Sequence, residues 1–215
     1  MDTNFTNVVS ALSLAGLQAL SSSLPSGVLN TEKVLSQKEI SLDKRYNVSS
    51  VNDVFKDNIL LNIAYLKGVV KDPAKIDWEE VQKPFKYEFK LKPGETFAFH
   101  DDVLPEYTGK IAKTTNAHFN AIEGFKTDGY LFGDGVCHLA SILYWAAKDA
   151  GVEANAPVAH DFMVIPEIPK EYGVSIFSNN TAQNLYIKNN KNKDLSFRFE
   201  YQNNDLRVLI VESLI

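Results

Sequence analysis

Between Ser50 and Lys67 the apolar positions Val54, Ile59, Leu60, Ile63, Ala64 and Leu66 return at helical intervals. This spacing predicts a helix with Asp53 in its first turn and Gly68 as its stop. From Pro84 the period changes to two. In PFKYEFKLKPGETFAF, Phe85, Tyr87, Phe89 and Leu91 share one face, which predicts a strand, a turn at Pro93-Gly94 and a second strand, hence a hairpin. Helical spacing returns in GDGVCHLASILYWAAKDAG, where Ala140, Leu143, Tyr144 and Ala147 form a stripe and Gly151 sits at the C-terminal cap. Five short runs follow, DFMVI, VSIF, NLYIK, SFRFEY and LRVLIV, separated by Asn, Lys or Gly turns; they predict a mostly antiparallel sheet. Near the start, Val8, Leu12, Ala15 and Ala19 predict an amphipathic helix ended by Pro25. The expected fold is α+β: N-terminal helices over residues 1–44, then a domain over 45–215 in which a central helix carrying Cys137 packs on the sheet.

Composition narrows the function classes. The 215 residues are 45% hydrophobic and 11% aromatic, enough for an ordinary core. The 27 acidic and 22 basic residues are spread along the chain, and no basic block could track a phosphate backbone, so nucleic acid is not an expected partner. No run reaches the roughly 18 to 20 apolar residues of a membrane-spanning helix. The apolar stretch NVVSALSLAGLQALSSSLPSG has no basic residue before it, since Asp2 is the only charge ahead of Glu32; it reads as an amphipathic helix rather than a clear signal peptide. One cysteine excludes an intrachain disulfide and a Cys-rich zinc site.

That cysteine is the candidate for chemistry. Gly133 and Gly135 permit a sharp bend, and Cys137 follows at the start of the central helix. There the positive end of the helix dipole favours thiolate, and the amides around Gly135, Val136 and His138 are candidates for an oxyanion hole. The competing role is a small buried hydrophobe. The helix from Cys137 to Ala150 is about 20 Å long at ~1.5 Å per residue, and the stretch from Gly151 to His160 can span about 30 Å at ~3.3 Å per residue. A returning strand can therefore carry His160 back to the thiol as its general base. His138 points about 100° away from Cys137 on the helix, and His100 and His118 are weaker candidates. His100, Asp101, Asp102 and His160 could in principle ligate a metal, but adjacent aspartates on a turn read as solvated or capping, so no metal and no cofactor is expected.

GDGVCHLASILYWAAKDAGVEANAPVAH resembles the signature of the VanW-domain family, in which a glycine-rich turn and Cys precede a helix and then Pro-His. NILLNIAYLKG, LKPGETFAF and NLYIKNN are similar to further family segments, so the resemblance covers about residues 45 to 212. It implies a bacterial cell-envelope protein of a group associated with glycopeptide resistance, and an exported or envelope location. Some members are implicated in L,D-transpeptidation of peptidoglycan through a cysteine. Carried over, Cys137 matches the family cysteine and His160 its histidine, while the family's Arg-Asp pair falls on Lys170-Glu171 after a one-residue deletion. Glu171 is then the candidate that orients the imidazole. Asp134, His138 and Asp161 depart from the family's Gly, Gln and Ser, and Asp134 is expected to raise the thiol pKa.

The resulting expectation is a cysteine acyltransferase acting on a peptidoglycan peptide stem through a Cys137 thioester. Two alternatives stand beside it. An NlpC-like cysteine peptidase or amidase uses the same pair with water as acceptor, and a non-catalytic envelope-binding module keeps the groove without the chemistry. Its mark is a thiol unreactive toward iodoacetamide near neutral pH. Neither the acceptor nor the oligomeric state is readable from the sequence.

Overall fold

A computed structural model of the chain describes residues 31–129 and 132–214. The helix predicted over residues 8–20 lies outside these residues. Eight strands and three helices follow in the order β1 (Glu32–Ser41), α1 (Ser49–Lys67), α2 (Trp78–Gln82), β2 (Phe85–Leu91), β3 (Thr96–Ala98), β4 (Ile111–Lys113), α3 (Val136–Asp149), β5 (Glu153–Asn155), β6 (Tyr186–Lys188), β7 (Leu195–Gln202) and β8 (Asp205–Ser213). The strands make two four-stranded sheets, β1-β8-β7-β2 and β4-β3-β6-β5. Every pairing is antiparallel except β3 with β4. The fold is α+β.

Helix α1 is enclosed by sheet, loops and α3: every residue from Asp57 to Leu66 is buried, and all are apolar or aromatic except Asp57, Asn58 and Asn62. It stops at Gly68, whose left-handed φ of 73° lets its N–H and that of Val69 reach back to the Tyr65 and Ala64 carbonyls. The β7–β8 hairpin closes on Asn203-Asn204, both at positive φ, the turn whose twist matches the flanking strands. Phe197 and Phe199 of β7, with Leu206, Val208 and Ile210 of β8, are fully buried and form the floor of the core under α1 and α3.

Three sequence expectations change. Strands β2 and β3 do not form a hairpin: β2 pairs with β7 over its whole length, β3 with β4 and β6. The Pro93-Gly94 turn passes the chain from one sheet to the other and is stitched to Asn189, whose carbonyl accepts from Gly94 at 2.8 Å and whose N–H donates to Glu95. DFMVI and VSIF are not strands. Ala159 and Val174 form a single antiparallel bridge instead, and Phe162 and Val164 are left 73% and 80% exposed with no strand beside them. Residues 32–41, assigned by sequence to a helical segment, form β1 and pair with β8 from Glu32 to Ser41. A register irregularity between Val34 and Ser36 breaks the alternation that would have revealed the strand.

Candidate active site around Cys137 and His160

Asn58 on α1 builds the turn that delivers the cysteine. Its side-chain amide donates to the carbonyls of Lys126 (3.0 Å) and Asp134 (2.9 Å), and its oxygen accepts from the Lys126 N–H. Gly135 then approaches α1 so closely that a Cβ built on it would lie 2.5 Å from the Phe55 carbonyl oxygen; its φ of 95° also favours glycine. Cys137 is the second residue of α3.

The thiol is half-buried and faces backbone rather than an ionic partner. The Ile176 N–H donates to Sγ at 3.4 Å, and one turn on, the Val174 N–H donates to Ser141 Oγ at 2.9 Å. Two side chains four apart on α3 thus dock two alternate amides of one extended segment. Burial pushes the Cys137 thiol up to about 11, and the Asp134 charge adds to it against the Ile176 hydrogen bond. Asp134 is itself raised to about 6 by its own burial, against the hydrogen bond it accepts from the Asp128 N–H and with the Asp128 charge. The amides of Val136 and His138 already donate to the Gly133 and Gly135 carbonyls, both at 3.0 Å.

His160 approaches the same segment from the other side. Its backbone N–H donates to the Gly173 carbonyl at 3.1 Å, and the residue is 5% exposed. Nδ1 lies 3.1 Å from the Met163 carbonyl. A carbonyl only accepts, so Nδ1 carries the proton and the neutral ring presents the lone pair of Nε2. Burial lowers the His160 pKa, which keeps the ring neutral. Cys137 and His160 share no hydrogen bond, although both touch residues 173–176. The imidazole that His160 does meet is His138, edge-on at 6.3 Å between ring centroids. His138 also packs 5.1 Å from Phe55, its Nδ1 is buried without a hydrogen bond among the described residues, and burial with the nearby Arg45 charge holds its pKa well below the usual range. Glu171 is exposed in a short turn and makes no hydrogen bond to His160; the Met163 carbonyl orients that ring.

Sequence reasoning did not pick out Asn58, Ser141, Arg45 or the His138–His160 pairing. Arg45 is buried, donates to the Ser41 (2.8 Å) and Pro166 (3.1 Å) carbonyls, and pairs with Glu167, so it anchors the loop after His160 to the first strand. Asn58 carried the one legible signal among these, as one of three asparagines, with Asn52 and Asn62, in a helix otherwise rich in apolar residues. His100 is not near a metal-like cluster: its Nε2 faces the Gln183 carbonyl at 3.0 Å, and Asp101 bonds His118 instead. Among the described residues no group of three or more His, Cys, Asp or Glu side chains has the geometry of a metal site, and no helix is long and apolar enough to cross a membrane. A groove of about 490 Å3 at the β7–β8 turn holds neither the thiol nor His160.

The family model described as VanW like protein matches residues 87–211, more than half of the chain and inclusive of the cysteine turn, α3, His160, β7 and most of β8. The chain belongs to the VanW-like family. No curated protein and no solved structure matches it. In this VanW-like protein, β1 lies outside the matched residues yet completes the same sheet as β8, so the folded unit extends beyond the family match.

Proposed function

We propose that this VanW-like protein is a cell-envelope cysteine acyltransferase that acts on the peptide stem of peptidoglycan, with Cys137 as nucleophile and His160 as general base. What carries the reading is the convergence of Cys137 and His160 on one backbone segment, with the imidazole in the tautomer whose Nε2 lone pair is available. Peptidoglycan, transpeptidation and the envelope location rest on family membership. In this scheme Sγ leaves the Ile176 amide and passes its proton to His160 Nε2 as it bonds the carbonyl carbon of the stem. In the scheme the Val136 and His138 amides at the helix N-terminus give up their bonds to the Gly133 and Gly135 carbonyls and turn to the oxyanion. The C–N bond then breaks as His160 returns the proton to the leaving amine, and an acceptor amine displaces the thiol from the thioester.

One observation favours a second reading, a non-catalytic envelope-binding protein: the thiol, pushed up to about 11, is protonated at neutral pH and already serves as a hydrogen-bond acceptor. Mass spectrometry of muropeptides incubated with the protein separates the two. Thioester formation and cross-linked product that disappear in Cys137→Ala support the transferase; free stem products from water attack assign an amidase; no product with the wild-type protein overturns the catalytic reading.

A further inference from the structure

Ser141 is a buried hydroxyl that the chemistry at Cys137 does not use, and it sits where α3 meets the segment that carries His160. It has no exposure, donates to the Cys137 carbonyl at 2.7 Å and accepts from the Val174 N–H at 2.9 Å. Its proton is committed to the helix, so a lone pair faces the incoming amide. Segment 173–176 is bonded along both edges. On one edge the His160 N–H donates to the Gly173 carbonyl at 3.1 Å and the Ser175 N–H to the Val158 carbonyl at 3.0 Å; on the other, Val174 meets Ser141 and Ile176 meets Cys137 Sγ. His160 is pressed against this segment: a Cβ built on Gly173 would lie 3.3 Å from the His160 Cβ and 3.1 Å from its carbonyl oxygen. Segment and imidazole therefore move as one unit.

We propose that Ser141 is a positioning residue for the Cys137–His160 site: its hydroxyl fixes segment 173–176 on α3 and, through that segment, sets where His160 stands relative to the thiol. Bond strength decides which side chain does the holding. Ser141 presents a hydroxyl oxygen at 2.9 Å, whereas Cys137 presents sulfur, a weak acceptor, at 3.4 Å. The segment is fastened by the hydroxyl and only rests on the thiol. Spacing agrees: four residues of helix rise about 6 Å and two residues of extended chain about 6.6 Å, so a pair of side chains one turn apart meets a pair of same-edge amides. Burial makes the contact irreplaceable. Val174 has no exposure either, so without the hydroxyl its N–H is left unpaired unless the segment lifts to reach water. Ile176 then leaves Sγ, and His160 leaves its place beside His138. This placement is read without substrate; that acyl transfer depends on it rests on the catalytic reading.

The test starts from the unmodified full chain. Amide exchange followed by NMR should be at least about tenfold slower at Val174 than at Ile176; exchange at Ile176 that is as slow or slower means that the thiol holds the segment and overturns the proposal. Iodoacetamide labelling is then followed against pH in the parent and in three variants. In Ser141→Ala the thiol gains water, and relief of burial outweighs loss of the Ile176 bond, so its inflection should fall from about 11 by at least one pH unit. Labelling at pH 8 should quicken at least about threefold, since tenfold more thiolate is partly offset by its lower nucleophilicity. Ser141→Thr keeps the hydroxyl and should label as the parent does. Leu139→Ala, equally buried on the same helix, should lose stability without moving the inflection, which separates placement from stability. An inflection unmoved in Ser141→Ala, or moved as far in Leu139→Ala or Ser141→Thr, overturns the proposal. With muropeptides, kcat should fall at least about tenfold in Ser141→Ala and persist in Ser141→Thr; an unchanged kcat beside a moved inflection overturns the positioning role. Labelling that behaves as expected in a protein that makes no muropeptide product upholds the placement and overturns the catalytic reading alone.

Discussion

Replacing Gly135 by alanine tests the contact on which the whole site stands. The added Cβ would lie 2.5 Å from the Phe55 carbonyl oxygen and 3.0 Å from its Cα, about 0.9 Å inside the 3.4 Å at which ordinary contact begins. The obstacle is helix backbone and has no rotamer to yield. Overpacking of this kind costs about 1–3 kcal/mol, and an alanine forced to φ near 95° costs another ~1–3 kcal/mol, so the combined loss is about 4 kcal/mol. Gly94 is the control, with φ 83° and nothing within 4 Å; Gly94→Ala should lose only the backbone part, about 1–2 kcal/mol. Urea unfolding of the three proteins measures both values, and the thermal midpoint of Gly135→Ala should fall by roughly 8–16 °C at ~2–4 °C per kcal/mol. Displacing the start of α3 also parts Sγ from the Ile176 amide, so alkylation of Cys137 should quicken in Gly135→Ala and not in Gly94→Ala. If the two variants lose the same stability, the close approach of the cysteine turn to α1 does not hold the site, and the account of how Cys137 is positioned fails.

Other outcomes follow from the same geometry. Iodoacetamide labelling of the free protein should rise with pH toward an inflection near 11, which at pH 7 leaves about one thiol in ten thousand ionised, roughly 300-fold below an ordinary cysteine; Asp134→Asn should move the inflection down, and an inflection near 8.5 refutes the burial argument. Asp134 is raised from 3.8 to about 6, so the folded state holds its proton more tightly than the unfolded chain: its contribution is favourable below pH 4, is lost between pH 4 and 6, and is a penalty above. Asp134→Asn should therefore stabilise the protein by about 1 kcal/mol at pH 7, after allowance for solvent screening of a half-buried group, and not at pH 3.5; denaturation curves at both pH values decide it. Asn58→Ala removes two donors and one acceptor from the Lys126–Asp134 loop and should cost about 2–4 kcal/mol, with faster amide exchange at Lys126 as its local signature. Leu139→Ala, at a site with no exposure, should cost about 2–5 kcal/mol while leaving the thiol inflection in place.

The residue pattern alone determined what depends on near neighbours. Helical spacing and a glycine stop located α1 and α3 to within a residue, alternation located β2, β7 and β8, and the glycine-flanked cysteine with its downstream histidine located the candidate site and the family. Only the tertiary structure decided what depends on partners far along the chain. Sheet membership turned an expected β2–β3 hairpin into a crossing between sheets, because the alternating face of β2 found its match on Phe197 and Phe199 of β7. Apolar runs at 161–165 and 174–177 stayed out of strands because no neighbour completes their hydrogen-bond ladders. At the site, folding paired His160 with His138 and the Met163 carbonyl, and gave the thiol a backbone amide, since burial and loop docking, unlike periodicity, leave no repeating mark in the sequence.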